Sequence, residues 1–346
     1  MNSIKYITLH LTNACNLYCR HCWVEASTNS NKGVIPIEKL KQIIDEAEKM
    51  QILSVKLTGG EPFMYSDIRE LIRYIYVKKI SISIETNATL FKEDDIDLIK
   101  ECNCYIATSL DGFSSNYHDW FRQSSGCFDK TLKNIRKFIE RDIPFQVIWS
   151  VCKENENDIE RMVDFCNEEK IKTIKINPVN LAGRMHNSNE ITILNATERI
   201  ALHKKILMLR NKHPDMHIAY PLPPAFMSVG EYKCFSSECD LCSRCAILCN
   251  GDVGLCGASI TKSTTIYGNI YNEELSSIVN NERIKEKCDD ILDNIEGVCN
   301  NCIHKCHCKG YCRANALFVS DNIKAPYFLC QEMYESGLFP TSRLKR

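Results

Sequence analysis

The first half of the chain alternates short β-rich runs with amphipathic, charge-studded stretches, and this alternation constrains the fold more than any other feature. Strands are predicted over residues 5–11, 54–58, 81–86, 105–111, 145–151 and 173–178. Helices are predicted near residues 37–50, 67–77, 92–101, 128–141 and 158–169, with another near 197–212. Such repeats form βα units around a parallel sheet. Six units fall short of the eight that close a TIM barrel. The expected α/β fold is therefore an open, partial (β/α)6 TIM-like barrel, with its chemistry at the C-terminal strand ends.

At 346 residues and 44% hydrophobic content, the chain can bury one large core, or one core with a smaller domain beside it. The 43 basic and 44 acidic residues leave a net charge of -1, and no long run of one sign is present. Nucleic acid is accordingly not an expected partner. The start MNSIKYITLHLTNACN lacks a basic, apolar signal, and no stretch approaches the roughly 18 apolar residues of a membrane span. A cytoplasmic protein with no membrane partner is expected. Prolines crowd residues 213–230, and cysteines dominate from Cys234 to Cys330. This divides the chain into a core (1–213), a linker (214–233) and a cysteine-rich domain with a C-terminal tail (234–346).

Twenty-one cysteines in a reducing compartment argue against disulfides, and the odd number would leave one unpaired. Metal ligation remains. The loop after the first strand reads Cys15-Asn-Leu-Tyr-Cys19-Arg-His21-Cys22, a CxxxCxxC. Three thiolates there can ligate three irons of a cubane cluster and leave the fourth open. A structural zinc would need a fourth ligand, with His10 and His21 nearby, and usually pairs cysteines two to four residues apart.

CxxxCxxC after a first strand resembles the radical S-adenosylmethionine (SAM) superfamily. The resemblance implies an enzyme in which SAM chelates the open iron and is reductively cleaved to a 5'-deoxyadenosyl radical. Gly59-Gly60-Glu61-Pro62 follows the second strand, where that family places GGEP. The glycines would allow close backbone approach to a ligand, and Glu61 would stabilise the cofactor's ammonium. His21 takes the family's aromatic position before the last cysteine, expected to shield the cluster by packing. Glu85-Thr86-Asn87 and Ser109-Leu110-Asp111-Gly112 end the third and fourth strands. Their polar groups, those of Glu85, Asn87, Ser109 and Asp111 among them, would meet ribose hydroxyls, although Thr86 and Asp111 equally suit caps and turns. Arg122, in SLDGFSSNYHDWFRQSSGCF, matches the arginine that related enzymes set against the cofactor carboxylate.

The later cysteines run Cys239, Gly251-x4-Cys256, Cys299-x2-Cys302-x5-Cys308-x3-Cys312, then Cys330, with Tyr267-Gly268-Asn269-Ile270 between. This is similar to the SPASM domain, which carries two auxiliary four-iron four-sulfur clusters, so three clusters are implied. The resemblance assigns Cys239, Cys245, Cys256 and Cys312 to one, and Cys299, Cys302, Cys308 and Cys330 to the other. Cys242 could replace Cys239 or Cys245, and Cys234, Cys249 and Cys306 are surplus. Cys102, Cys104, Cys127, Cys152, Cys166 and Cys288 are expected to pack as small apolar side chains.

SPASM-bearing enzymes mostly modify peptides or proteins, which implies a maturase abstracting hydrogen from a peptide and leading to a thioether, a carbon-carbon crosslink or another modification. Sulfatase maturation loses weight, because Gly257 stands where those enzymes place a general-base aspartate after the equivalent of Cys256. With the first strand beginning near residue 4, a leader-peptide-binding module is expected as a separate protein, and a leader-independent substrate would also fit. A flavodoxin or ferredoxin is the expected reductant. A tetrapyrrole or small-molecule enzyme is the alternative within the family, and a non-enzymatic iron-sulfur electron carrier the alternative outside it.

Overall fold

The computed structural model describes residues 4–28, 33–235, 243–257, 263–280 and 282–345. One ten-stranded sheet organises them. Strands β1 (Tyr6–Thr12), β2 (Ser54–Gly59), β3 (Ser81–Thr86), β4 (Tyr105–Ser109), β5 (Phe145–Val151), β6 (Thr173–Pro178) and β7 (His217–Ala219) lie side by side in chain order. All are parallel. Between them run α1 (Ile37–Lys49), α2 (Ile68–Val77), α3 (Glu93–Glu101), α4 (Ser115–Arg122), α5 (Cys127–Glu140), α6 (Ile159–Glu168) and α7 (Ala196–Lys212). The six expected strands are present. Short β7 and α4 were not predicted from sequence, being too brief for a period to show.

Helix faces follow burial. On α2, Ile68, Leu71, Ile72 and Ile75 are buried, a spacing of three and four that makes one apolar stripe against the sheet. On β1, Ile7, Leu9 and Leu11 enter the main core, while Thr8 and His10 alternate onto the barrel side. Several helices stop in one way. After α1, Gln51 at φ +57° donates to the Glu48 carbonyl, and Ile52 donates to that of Ala47. After α6, Lys170 at φ +61° and Ile171 repeat the pattern onto Asn167 and Cys166. These are Schellman ends built without glycine.

The chain then extends the same sheet on its other flank. After α8 (Val229–Phe235), β8 (Arg244–Ile247) pairs parallel with β1, and β9 (Asp252–Gly254) and β10 (Ile266–Asn269) add antiparallel. The remaining elements are α9 (Leu275–Val279), α10 (Glu282–Asp293), α11 (Gly297–Asn301), α12 (Lys305–Cys308), α13 (Arg313–Ser320) and α14 (Phe328–Glu335). Helices α7 and α14 pack together, bringing the cysteine-rich segment beside the β6–β7 flank. None of the helices is long and apolar enough to cross a membrane among the described residues.

Candidate active site

The CxxxCxxC loop leaves β1 and is held largely by backbone groups. Cys15 N–H donates to the Ser27 carbonyl at 3.1 Å, and the Arg184 guanidinium donates to the Cys19 carbonyl at 2.7 Å. Arg184 also stacks over Tyr18 at 3.6 Å. Cys15 and Cys19 are buried and Cys22 half-buried on the wall of a cavity of about 240 Å³.

Gly59 and Gly60 lie directly beneath this loop. The Gly60 and Glu61 N–H groups donate to the Thr12 and Ala14 carbonyls at 2.7 and 2.8 Å. A Cβ on Gly60 would stand 2.1 Å from the Ala14 oxygen, and Gly59 holds φ +118°. The close approach that needs glycine is therefore to the cysteine loop itself. Glu61 is buried and accepts from Thr86 Oγ1 at 2.7 Å, Asn87 N at 2.8 Å and Phe63 N at 3.2 Å. Burial raises its pKa against those donors. The carboxylate ties the β2 and β3 ends together, and Pro62 opens the short turn that follows.

Beyond β3, Asn87 Nδ2 donates to Asn16 Oδ1 at 2.9 Å and stands 3.9 Å from Cys15 Sγ. Glu85 points into the barrel, accepting from Lys56 at 2.7 Å and Thr58 at 3.1 Å. Burial would raise its pKa, but the Lys56 and Lys175 charges and the two hydrogen bonds hold it down to about 2. Ser109 lines the cavity at the end of β4.

Asp111 departs from the expected ribose contact. It is fully buried and absent from the cavity lining; its Oδ1 accepts from Ser150 N at 2.7 Å and its Oδ2 from Arg122 at 2.6 and 2.5 Å. Burial opposes ionisation, and Arg122 overcomes it, so the pKa is lowered. The third nitrogen of Arg122, Nη1, faces Cys19 Sγ at 3.5 Å. His21 stacks on Phe121 with ring centres 4.3 Å apart, and its Nε2 is 3.3 Å from Ser150 Oγ.

Ser150, Lys175 and Asn177 also line the cavity and were missed. Their signal was polar side chains on one face of β5 and β6, in strands whose other face is apolar.

The donor set fits an iron-sulfur cluster. Burial pushes the Cys15 thiol up to about 12, so ionised sulfurs here need a cationic partner, and an iron cluster provides one. Further along the chain, Cys299, Cys302, Cys308 and Cys330 line one small cavity. Cys256 and Cys312 are close enough to interact electrostatically.

Cys245 does not fit its expected place. In register with Ile7, it lies on the apolar face of the sheet within the main core, and burial alone pushes its thiol up to about 12. Its neighbour Arg244 lines a cavity together with Cys312. Period-two alternation thus turns Cys245 away from Cys312. Cys239 and Cys242 lie outside the described residues. Cys102, Cys104, Cys127, Cys152, Cys166 and Cys288 are all buried, as expected of packing thiols.

A parallel half-barrel with three cysteines on its β1 loop and GGEP beneath them is the arrangement of a radical SAM domain. Residues 9–166, just under half of the chain, match the radical SAM superfamily and form a radical SAM domain. It is similar to the antilisterial bacteriocin subtilosin biosynthesis protein AlbA of Bacillus subtilis, 26% identical over 89% of this chain and 66% of that one. The match therefore spans just under two thirds of AlbA. It is also similar to the AdoMet-dependent heme synthase of Methanosarcina barkeri, 26% identical over 91% and 93%. The fold is that of Streptococcus suis SuiB bound to S-adenosylmethionine, with TM-score 0.78 and 20% identity over 95% of this chain and 78% of SuiB. An enzyme, rather than an electron carrier, follows.

Proposed function

We propose that this enzyme is a peptide maturase that abstracts hydrogen from a peptide, leading to a thioether, a carbon-carbon crosslink or another modification. The observation that carries this reading is a continuous cleft. The catalytic cavity shares His21, Trp23, Ser150 and Asn177 with a second cavity of about 210 Å³ that reaches Cys312 and Asn315. A third, of about 250 Å³, continues from there. Such a cleft suits an extended substrate between the reacting centre and a C-terminal cluster. The similarity to AlbA supports a peptide, as does the fold shared with SuiB, which has been solved bound to precursor peptide SuiA.

Cys15, Cys19 and Cys22 would hold the catalytic cluster, which with bound S-adenosylmethionine supplies a 5'-deoxyadenosyl radical. Arg122, kept in place by Asp111, would offer its remaining nitrogen to the cofactor's carboxylate. Asn87 and Ser109 would offer an amide and a hydroxyl to its polar groups, and Glu61 with Gly59, Gly60 and Pro62 would fix the loop that carries the sulfurs. Cys299, Cys302, Cys308 and Cys330 would hold one auxiliary cluster. Cys239, Cys242, Cys256 and Cys312 would hold the other, with Cys242 in place of Cys245. A flavodoxin or ferredoxin serves as reductant, and a separate leader-binding protein can deliver the peptide.

The test is label transfer. A candidate peptide deuterated at its reactive carbons should pass deuterium into 5'-deoxyadenosine. A second reading, a tetrapyrrole substrate, draws on the similarity to the heme synthase over 93% of its length. Label arriving from a deuterated porphyrin and none from peptides would replace the first reading with the second.

A further inference from the structure

The outer part of the cleft carries charge that the reaction just described does not use. The third cavity is lined by Arg199 of α7 and Arg244 of β8, together with Cys312 and Asn315. The two arginines differ in what remains free. Arg199 is buried, its Nε donating to the Leu194 carbonyl and its Nη2 to the Val179 carbonyl and Asn180 Oδ1 at 3.0–3.2 Å. It contributes positive charge without a free donor fork. Arg244 is half-buried and rests on the Tyr6 ring at 5.6 Å, and its Nε is buried with no hydrogen-bond partner. Among the described residues no carboxylate pairs with either arginine.

Asn315 supplies the second, independent observation. It is only 4% exposed, yet its Oδ1 accepts no hydrogen bond, and its side chain lines both outer cavities. A buried amide left unsatisfied is costly, so this pair of groups is built to meet something that enters the cleft. A planar guanidinium with a free fork matches a carboxylate in two parallel hydrogen bonds. A neighbouring amide oxygen matches a backbone N–H.

We propose that Arg244 anchors a carboxylate of the substrate in the outer cleft, with Asn315 accepting from an adjacent N–H, so that the peptide taken carries an acidic residue. This rests on the reading that the cleft holds the substrate of the radical reaction. A carboxylate can also come from a porphyrin propionate, and the experiment separates the two sources.

The reconstituted holoenzyme is titrated anaerobically with acetyl-Ala-Glu-Ala-amide and its Gln counterpart, and in parallel with a tetracarboxylate porphyrin and its methyl ester. The Glu peptide should bind about tenfold more tightly than the Gln peptide, the size expected for one charge-assisted anchor. In Arg244→Gln that ratio should fall to about one, and Arg244→Lys should retain part of it, since a point charge replaces the fork. Asn315→Ala should weaken both peptides alike. Iron content and melting temperature of Arg244→Lys establish that the altered site is still folded. A ratio near one in the unaltered enzyme for both probe pairs, or a preference that survives Arg244→Gln, overturns the anchor. An Arg244-dependent preference seen with the porphyrin pair alone keeps the anchor and removes the peptide reading.

Discussion

Arg122 and Asp111 form a buried ion pair, with Nε and Nη2 both on Oδ2 at 2.6 and 2.5 Å, and this pair aims the remaining nitrogen at Cys19 Sγ. Burying two charges is favourable only when they are matched, and removing one partner strands the other. Asp111→Asn should therefore destabilise the protein by about 3–5 kcal/mol. Thermal melts of the two proteins at pH 7 test this, and equal melting temperatures would contradict it.

The same pair predicts a pH dependence. The folded carboxyl is held below its unfolded value of about 3.9, so its contribution is fully present above that pH and lost as pH falls through the lowered folded value. Melting temperature followed from pH 7 down to 3 should show a steeper acid loss for the native sequence than for Asp111→Asn. Parallel curves would count against it.

Gly60→Ala tests the contact between GGEP and the cysteine loop. The new Cβ would lie 2.1 Å from the Ala14 carbonyl oxygen, and backbone cannot yield as a side-chain tip can. The catalytic cluster should be lost with the auxiliary clusters kept, a drop of about four irons per chain. Full iron content would show that the loop tolerates the change.

The cysteines of the C-terminal segment separate by role. Cys245→Ala should keep its iron and cost about 1 kcal/mol as a small cavity, whereas Cys312→Ala should lose about four irons. Iron analysis with electron paramagnetic resonance distinguishes them. Iron loss from Cys245→Ala would return that residue to the ligand set.

Gln51 and Lys170 occupy left-handed positions that favour glycine, and both are exposed. Gln51→Gly and Lys170→Gly should each stabilise by roughly 0.5–1 kcal/mol, the relief of left-handed strain less the entropy glycine adds to the unfolded chain. A fall in melting temperature for both would show that side-chain contacts outweigh backbone strain there.

Much of the half-barrel is legible in the sequence because burial repeats with a fixed period. Ile68, Leu71, Ile72 and Ile75 announce a helix, and the alternation of Ile7, Thr8, Leu9 and His10 a strand. Motif spacing likewise gives Cys15, Cys19, Cys22 and Gly60. What stays hidden depends on distant pairing. Nothing local in Arg244–Ile247 says that it joins β1, yet that register turns Cys245 inward and Arg244 toward the cleft. Nor does Arg122 reveal that two of its nitrogens are already committed to Asp111, eleven residues earlier.

The central claim is that Cys15, Cys19 and Cys22 start the chemistry. Anaerobically reconstituted protein, given dithionite and S-adenosylmethionine, should form 5'-deoxyadenosine. A variant with all three cysteines changed to alanine should retain about eight irons and form none. No product from the native sequence with its clusters intact, or product persisting in the triple variant, would contradict the account.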